Sequence, residues 1–402
     1  MKSLAILVAI AFVAIVASAG AAAPNQEPPY ARSLRPKLEA LVKEMLMPGA
    51  VVVVRSEKLG DWTTTFGTQK RGGKQRVAVD DHIRIGSNTK TMTGTVVLQL
   101  VQEGKLRLDD PVSKYRRDVP NGETITIEHL LSMRSGLYNY TDALELNQSL
   151  DATPGRAFAP DEMLAFAFTR PLSFEPGAGY EYSNTNFVLL GLIVEKLTGK
   201  PLDQVFEERI FEPLGLDDTS LPKRSSNAIP REHPQGYLFG TNVETMDTQV
   251  LPPDEQPAAN AGALEPIDVT GENPSWAWAA GGAISTADDL ARYVKSLVGG
   301  GLLNNRSQQQ PVDSVRPNDP GNPMSPGYGY AIADLGRLVG HTGELPGFQS
   351  VMGYDAQTKL TVIVWTTLAA APDGRAPATH LTKAILSELS PPPPPDPPDE
   401  NP

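Results

Sequence analysis

The sequence predicts an α/β fold in which a lobe of strands and helices is split by an inserted helical lobe. Three observations predict it. Strand-like runs stand near both ends of the chain, at Val51–Val54 and Trp62–Phe66 and again at Val351–Tyr354 and Leu360–Thr366. Between them the apolar spacing is mostly helical. The 402 residues, 40% of them apolar, exceed one average domain and suffice for a large core. The expected division puts the α/β lobe at about 36–105 and 275–390 and the helical lobe at about 106–274. The active site is then expected in the groove between them.

Residues 1–23 read as a secretory signal peptide: Lys2, an apolar run from Leu4 to Val16, then the small-residue site Ala17-Ser18-Ala19. An uncleaved anchor is the alternative, although the run is short for a spanning helix. The expectation is a secreted or cell-envelope protein, in the periplasm or cell wall. Residues 24–35 read as a linker. The strands Val51–Val54 and Trp62–Phe66 are joined by a polar turn at Ser56–Gly60. Ile83 and Ile85 alternate with His82 and Arg84, as in a half-buried strand. From Ser87 onward Met92, Val96, Leu100 and Val101 recur at helical spacing until Gly104 terminates the run. Thr126–Leu131 and Pro160–Phe168 read as helices and 139–154 as a loop. Phe187–Leu197 is an apolar helix closed by Gly199 and Pro201, and Leu202–Phe211 another. Residues 217–275 and 302–325 carry turn formers without periodicity and read as long loops. Trp276–Ile284 is an expected strand. Thr286-Ala287-Asp288-Asp289 is a capping-box-like opening to a helix ending at Leu297. Ala376–Leu389 is the last helix. The proline run 391–402 reads as a disordered, extended spacer and a candidate for cell-wall association.

Composition excludes several classes of function. With no cysteine there is no disulfide, thiolate metal site or cysteine nucleophile. The formal charge is −12, and without a basic cluster this argues against nucleic acid and anionic membranes as partners. The five histidines, His82, His129, His233, His341 and His380, lack ligand-like spacing. No Walker A loop, Gly-x-Gly-x-x-Gly, His-Glu-x-x-His or Gly-x-Ser-x-Gly is present, so neither metal nor other cofactor is expected.

Three short motifs carry the chemistry instead. Ser87-Asn88-Thr89-Lys90 lies where the strand-like run gives way to the helix. Lys90, one turn on, shares a face with Ser87, and the helix start offers unpaired N–H groups to an oxyanion. A serine hydroxyl needs a base, and a lysine kept neutral by burial can serve. A second match, Ser220-Leu221-Pro222-Lys223, falls in a turn and is set aside. Tyr182-Ser183-Asn184 supplies a second base or proton relay, if a neighbouring cation lowers the Tyr182 phenol, and an amide, Asn184, to hold substrate. His341-Thr342-Gly343 supplies a proton shuttle at His341 and a substrate hydrogen bond at Thr342. The backbone N–H groups of Ser87 and Glu344 are the expected oxyanion hole. Taken singly, Ser87 reads as a helix cap, Tyr182 as core and His341 as part of a turn. Their order and placement together favour catalysis.

With these motifs the chain resembles the penicillin-recognising serine hydrolases, in the branch of class C β-lactamases and soluble D-alanyl-D-alanine carboxypeptidases. The resemblance runs from about Val42 to Leu389. Besides the three motifs it includes Arg84–Lys90, His129–Leu137, Tyr180–Phe187 and Ala280–Thr286. It implies a β-lactamase/transpeptidase-like fold, an antiparallel sheet flanked by helices with an all-helical lobe, and an acyl-enzyme formed at Ser87. It also implies a substrate-lining role for Trp276. Two positions depart from the carboxypeptidase pattern. Glu344 stands where that branch has a threonine that helps bind the substrate carboxylate. Ala333 stands where it has an arginine, and Arg337 is the nearest basic residue. The leading expectation is a D-alanyl-D-alanine carboxypeptidase-like enzyme acting on cell-wall peptides or β-lactams. An esterase or amidase on the same scaffold is the second expectation, and an idle binding protein for cell-wall peptides the third.

Overall fold

The computed structural model describes residues 27–390 apart from Asp247, Pro320 and Pro323. The expected signal peptide and proline tail lie outside the described residues. An eight-stranded antiparallel sheet organises the chain. Its order is Trp62–Gly67, Gly49–Arg55, Leu360–Thr366, Phe348–Asp355, Val339–Leu345, Ala333–Asp334, Gly327–Tyr328 and Arg316–Pro317. Strands from the early and late parts of the sequence therefore pair with each other, one place in from the edge strand Trp62–Gly67, with Val52 opposite Val364.

The valine run at 51–54 has a two-sided cause. Val51 and Val53 face one core with Ile363 and Trp365, whereas Val52 and Val54 face another with Leu34, Leu38, Leu381 and Ile385. A strand covered on both faces needs apolar residues at every position rather than alternation. The helices Pro29–Glu44 and Pro377–Leu389 cover the second face. The helix Ala287–Gly299, opened by the Thr286 hydroxyl accepting the Asp289 N–H, covers the first. The helices between the strands, Ile127–Leu131, Leu144–Ala152, Pro160–Phe168 and Asn184–Thr198 among them, form the helical lobe over that first core.

The structure corrects four readings. The expected linker 24–35 is helical from Pro29, because a proline at the first helical position is favoured there and Ala31, Leu34 and Leu38 bury one face. Within the expected loop 139–154, Leu144–Ala152 is a helix that buries Leu146 and Leu150. Arg84 does not face solvent; it is 2% exposed beneath the long loop. The expected strand Trp276–Ile284 is a helical turn, Trp278–Gly281, followed by a two-residue strand, Ile284–Ser285. Its alternation of tryptophan and alanine imitates a strand. Alanine and glycine instead let this turn press onto the neighbouring helix, where a Cβ on Gly191 would stand 2.5 Å from that of Ala279. The excursion 217–275 is largely irregular, with only short pieces such as Gln256–Asn260 and the paired Tyr237–Leu238 and Ile267–Asp268.

Candidate active site

Ser87 sits in a single 3-10 turn, Gly86–Asn88, that runs directly into the helix Thr89–Gln102. The strand Val339–Leu345 presses against that turn. Gly86 has φ +53°, and a Cβ there would lie 2.3 Å from the Glu344 nitrogen; one on Gly343 would lie 1.8 Å from the Ile85 carbonyl. Only glycine permits this approach. It brings the Glu344 backbone nitrogen against the turn that carries Ser87, and the Ser87 N–H itself belongs to a helical first turn and has no intrahelical acceptor. Asn88 secures the turn from below, its Nδ2 donating to the Ile85 carbonyl at 3.0 Å and to Ser350 Oγ at 2.7 Å.

Lys90 is fully buried under Ser87. Its Nζ lies 2.8 Å from Ser87 Oγ, 2.6 Å from Asn184 Oδ1 and 2.7 Å from the Ala280 carbonyl. Burial drives its pKa well below the ordinary lysine value. A neutral amine has two N–H bonds and one lone pair. The Asn184 and Ala280 oxygens can only accept, so they use both N–H bonds and leave the lone pair directed at the Ser87 hydroxyl. The Asn184 amide is held with its oxygen toward Lys90 by its own donor bonds. Asn184 Nδ2 donates to Asn139 Oδ1 and Thr141 Oγ1, both at 3.2 Å, while Asn139 Nδ2 donates to Asp142 at 2.9 Å.

Tyr182 is half-buried on the cleft side and lines the same cavity as Ser87. Its ring lies 4.8 Å from Lys90 Nζ. The expectation of a lowered phenol is corrected. Burial pushes the Tyr182 pKa far up, and a neutral lysine is not the cation that would lower it. Tyr182 therefore offers an O–H, not a phenolate.

The expected shuttle at His341 is also corrected. Its ring centroid is 6.4 Å from that of Tyr182, and its Nε2 lies 2.9 Å from the Tyr328 hydroxyl. Nδ1 faces the Thr342 carbonyl at 2.5 Å, which makes it the protonated nitrogen, so Nε2 accepts from Tyr328. Burial pushes the His341 pKa down to about 3, and the nearness of Lys90 acts in the same direction. His341 is a neutral support behind Tyr328, whose ring meets Tyr182 edge-on at 6.2 Å.

A cavity of about 330 Å³ opens over Ser87. Tyr182, Asn184, Trp276 and Glu344 line it, with Leu146, Phe239 and Met246 among its apolar walls. Thr342 is half-buried and does not line the cavity, so the substrate hydrogen bond expected of it is not supported. Trp276 is positioned through its carbonyl, which accepts the Tyr140 hydroxyl at 2.6 Å. The Glu344 carboxylate accepts N–H groups from Gln349 at 2.9 Å and from Gln249. Burial raises its pKa against the pull of those two bonds. Arg337 is turned away, held by Asp355 at 3.1 Å and by the Leu389 carbonyl and Thr358, both at 3.1 Å. Ala333 pairs with Gly340 on the adjacent strand. Sequence reasoning missed Asn139, the Ala280 carbonyl and Tyr328. Asn139 and Tyr328 had no motif to mark them, and a main-chain acceptor leaves no side-chain signal.

Comparison with known proteins accords with this arrangement. Residues 34–386 match the Beta-lactamase family. The chain is 23% identical to PbpX, a penicillin-binding protein homologue of Bacillus subtilis, over 83% of this chain and 73% of that one. It is 30% identical to the esterase EstB of Burkholderia gladioli, over 59% of this chain and 68% of the other. Among solved structures, a D-stereospecific amidohydrolase from Streptomyces superposes with a TM-score of 0.74 at 30% identity, covering 89% of this chain and 98% of that one. Fold, family match and relatives together make the chain a serine hydrolase that belongs to the Beta-lactamase family.

Proposed function

We propose that this enzyme hydrolyses small amides or esters through an acyl-enzyme on Ser87. The observation that carries the reading is the lysine lone pair. Two obligatory acceptors consume the N–H bonds of neutral Lys90, and its third direction is the Ser87 hydroxyl 2.8 Å away. Lys90 takes the Ser87 proton as Oγ attacks the acyl carbon, and the carbonyl oxygen becomes an oxyanion against the N–H groups of Ser87 and Glu344. When the tetrahedral intermediate collapses, the bond to the leaving amine or alcohol breaks and Tyr182 supplies its proton. The Lys90 ammonium then restores the phenol. Water attacks the acyl-enzyme, gives a proton to Lys90, and releases the carboxylic acid with Ser87 reprotonated.

The amide or ester reading is favoured over carboxypeptidase action by the cavity's charge. Asp142 and Glu344 line it, and among the described lining residues there is no lysine or arginine to receive a terminal carboxylate. Export from the cytoplasm, read from residues 1–23, is part of the same proposal and is supported by sequence alone. The test is steady-state hydrolysis of a p-nitrophenyl ester, an amino-acid amide and an acyl-D-Ala-D-Ala peptide. Ser87-dependent turnover of the first two well above the peptide is expected. Efficient D-alanine release by the native protein would count against the reading.

A further inference from the structure

Both carboxyl oxygens of Glu344 accept side-chain amide N–H groups, and among the described residues no cationic side chain meets them. One carboxylate oxygen accepts the Gln349 amide at 2.9 Å and the other accepts Gln249. Gln349 is 3% exposed and cannot turn over, because its Oε1 accepts the Ala378 N–H at 2.8 Å. It stands directly across from Glu344 on the next strand. Two amide donors fix a carboxylate in place and favour its ionised form, but they do not neutralise it. A half-enclosed carboxylate without a counter-ion costs stability. Placing one where the cavity meets Ser87 makes sense if the ligand brings the positive charge.

We propose that Glu344 is an ammonium subsite, so that the preferred substrates are amino-acid amides or esters with a free α-amine beside the reacting carbonyl. The inference rests on the serine-hydrolase reading of this cavity and narrows its substrate class. One residue then holds both ends of the acyl group: the Glu344 N–H faces the carbonyl oxygen and its carboxylate faces the amine on the adjoining carbon. Gln249, reaching in from a separate loop, occupies one carboxylate oxygen with neutral donors, where an ammonium would bind more strongly. Asp142, also on the cavity wall, adds to the negative potential.

The experiment compares kcat/KM for phenylalanine p-nitroanilide and its N-acetyl form, in both enantiomers, using the full protein. The two differ in amine charge at the subsite. The free amine is expected to react about 10- to 100-fold better in at least one enantiomer, the scale of a charge-assisted hydrogen bond. Glu344→Gln should bring that ratio towards one. Should E344Q fail to fold, Gln249→Ala gives a second reading: exposing the outer carboxylate oxygen should raise the ratio. Equal or better turnover of the acetylated form overturns the subsite, as does a ratio unmoved by E344Q or lowered by Q249A. If neither anilide reacts while an activated ester still acylates Ser87, the subsite fails alone. If no reagent acylates Ser87, the hydrolase mechanism beneath it fails as well.

Discussion

Lys90 reaches none of the solvent, and its three partners are all oxygens. Replacing it with methionine keeps the volume and removes the base. Lys90→Met should lower kcat/KM by about 10²–10⁴-fold, measured on an activated ester, with a folded near-UV spectrum. Because the folded pKa lies below the unfolded one, the unfolded chain binds the extra proton between them. Lys90 therefore makes stability rise with pH up to the ordinary lysine value near 10.5. His341 acts in the same sense at lower pH. It stays neutral in the fold down to about 3, while the unfolded imidazole protonates near 6.5. Stability should fall as pH drops from about 6.5 towards 3, and His341→Gln should flatten that slope in denaturant titrations. The activity profile should show no inflection from His341 between pH 5 and 8. Residue types were legible in the sequence at Ser87, Lys90, Tyr182 and Asn184, since hydroxyl, amine, phenol and amide chemistry follows from the side chain. Protonation was legible only as a condition at Lys90 and was misread at Tyr182, because it depends on burial contributed by residues distant in sequence.

The strand Val339–Leu345 and the Ser87 turn form one unit, and glycine at two positions allows their contact. Gly343→Ala places a methyl against the Ile85 carbonyl and Ser350 Oγ. The strand must retreat and carry the Glu344 N–H with it. A loss of about 10²–10³-fold in acylation rate is expected, as for a lost oxyanion donor, measured by stopped-flow with an activated ester. Elements with strong periodicity or clear ends were legible: Pro160–Phe168 and Leu360–Thr366 form as read. The turn Trp278–Gly281 was not, because its helical form is imposed by a neighbour across the core. The helix Pro29–Glu44 was hidden by prolines that favour a helix start as readily as a linker.

Across the molecule, Arg84 joins the two regions that flank the site. Its guanidinium donates to the carbonyls of Asn227 at 2.9 Å, Thr270 at 3.0 Å and Glu272 at 2.7 Å, fastening the irregular excursion to the strand before Ser87. Burial outweighs the nearby Arg84 and raises the Glu272 carboxyl to about 7. Its contribution is fully present below about 4.5, where the unfolded group is also protonated, and is lost as pH rises through 7. Glu272→Gln should therefore raise Tm more at pH 8 than at pH 5 in thermal melts. The split architecture was legible because strands at both ends of the sequence must find each other. The anchoring of the excursion was not, since a main-chain carbonyl carries no residue identity.

The central claim is that Ser87 is acylated with Lys90 as its base. Reaction of the protein with a labelled activated ester and a labelled penicillin, followed by peptide mass spectrometry, tests it most directly. The account predicts an adduct on Ser87 from the ester, slowed sharply in K90M and absent in S87A. A label on any other residue, or an S87A protein that still turns the ester over at the native rate, would contradict it.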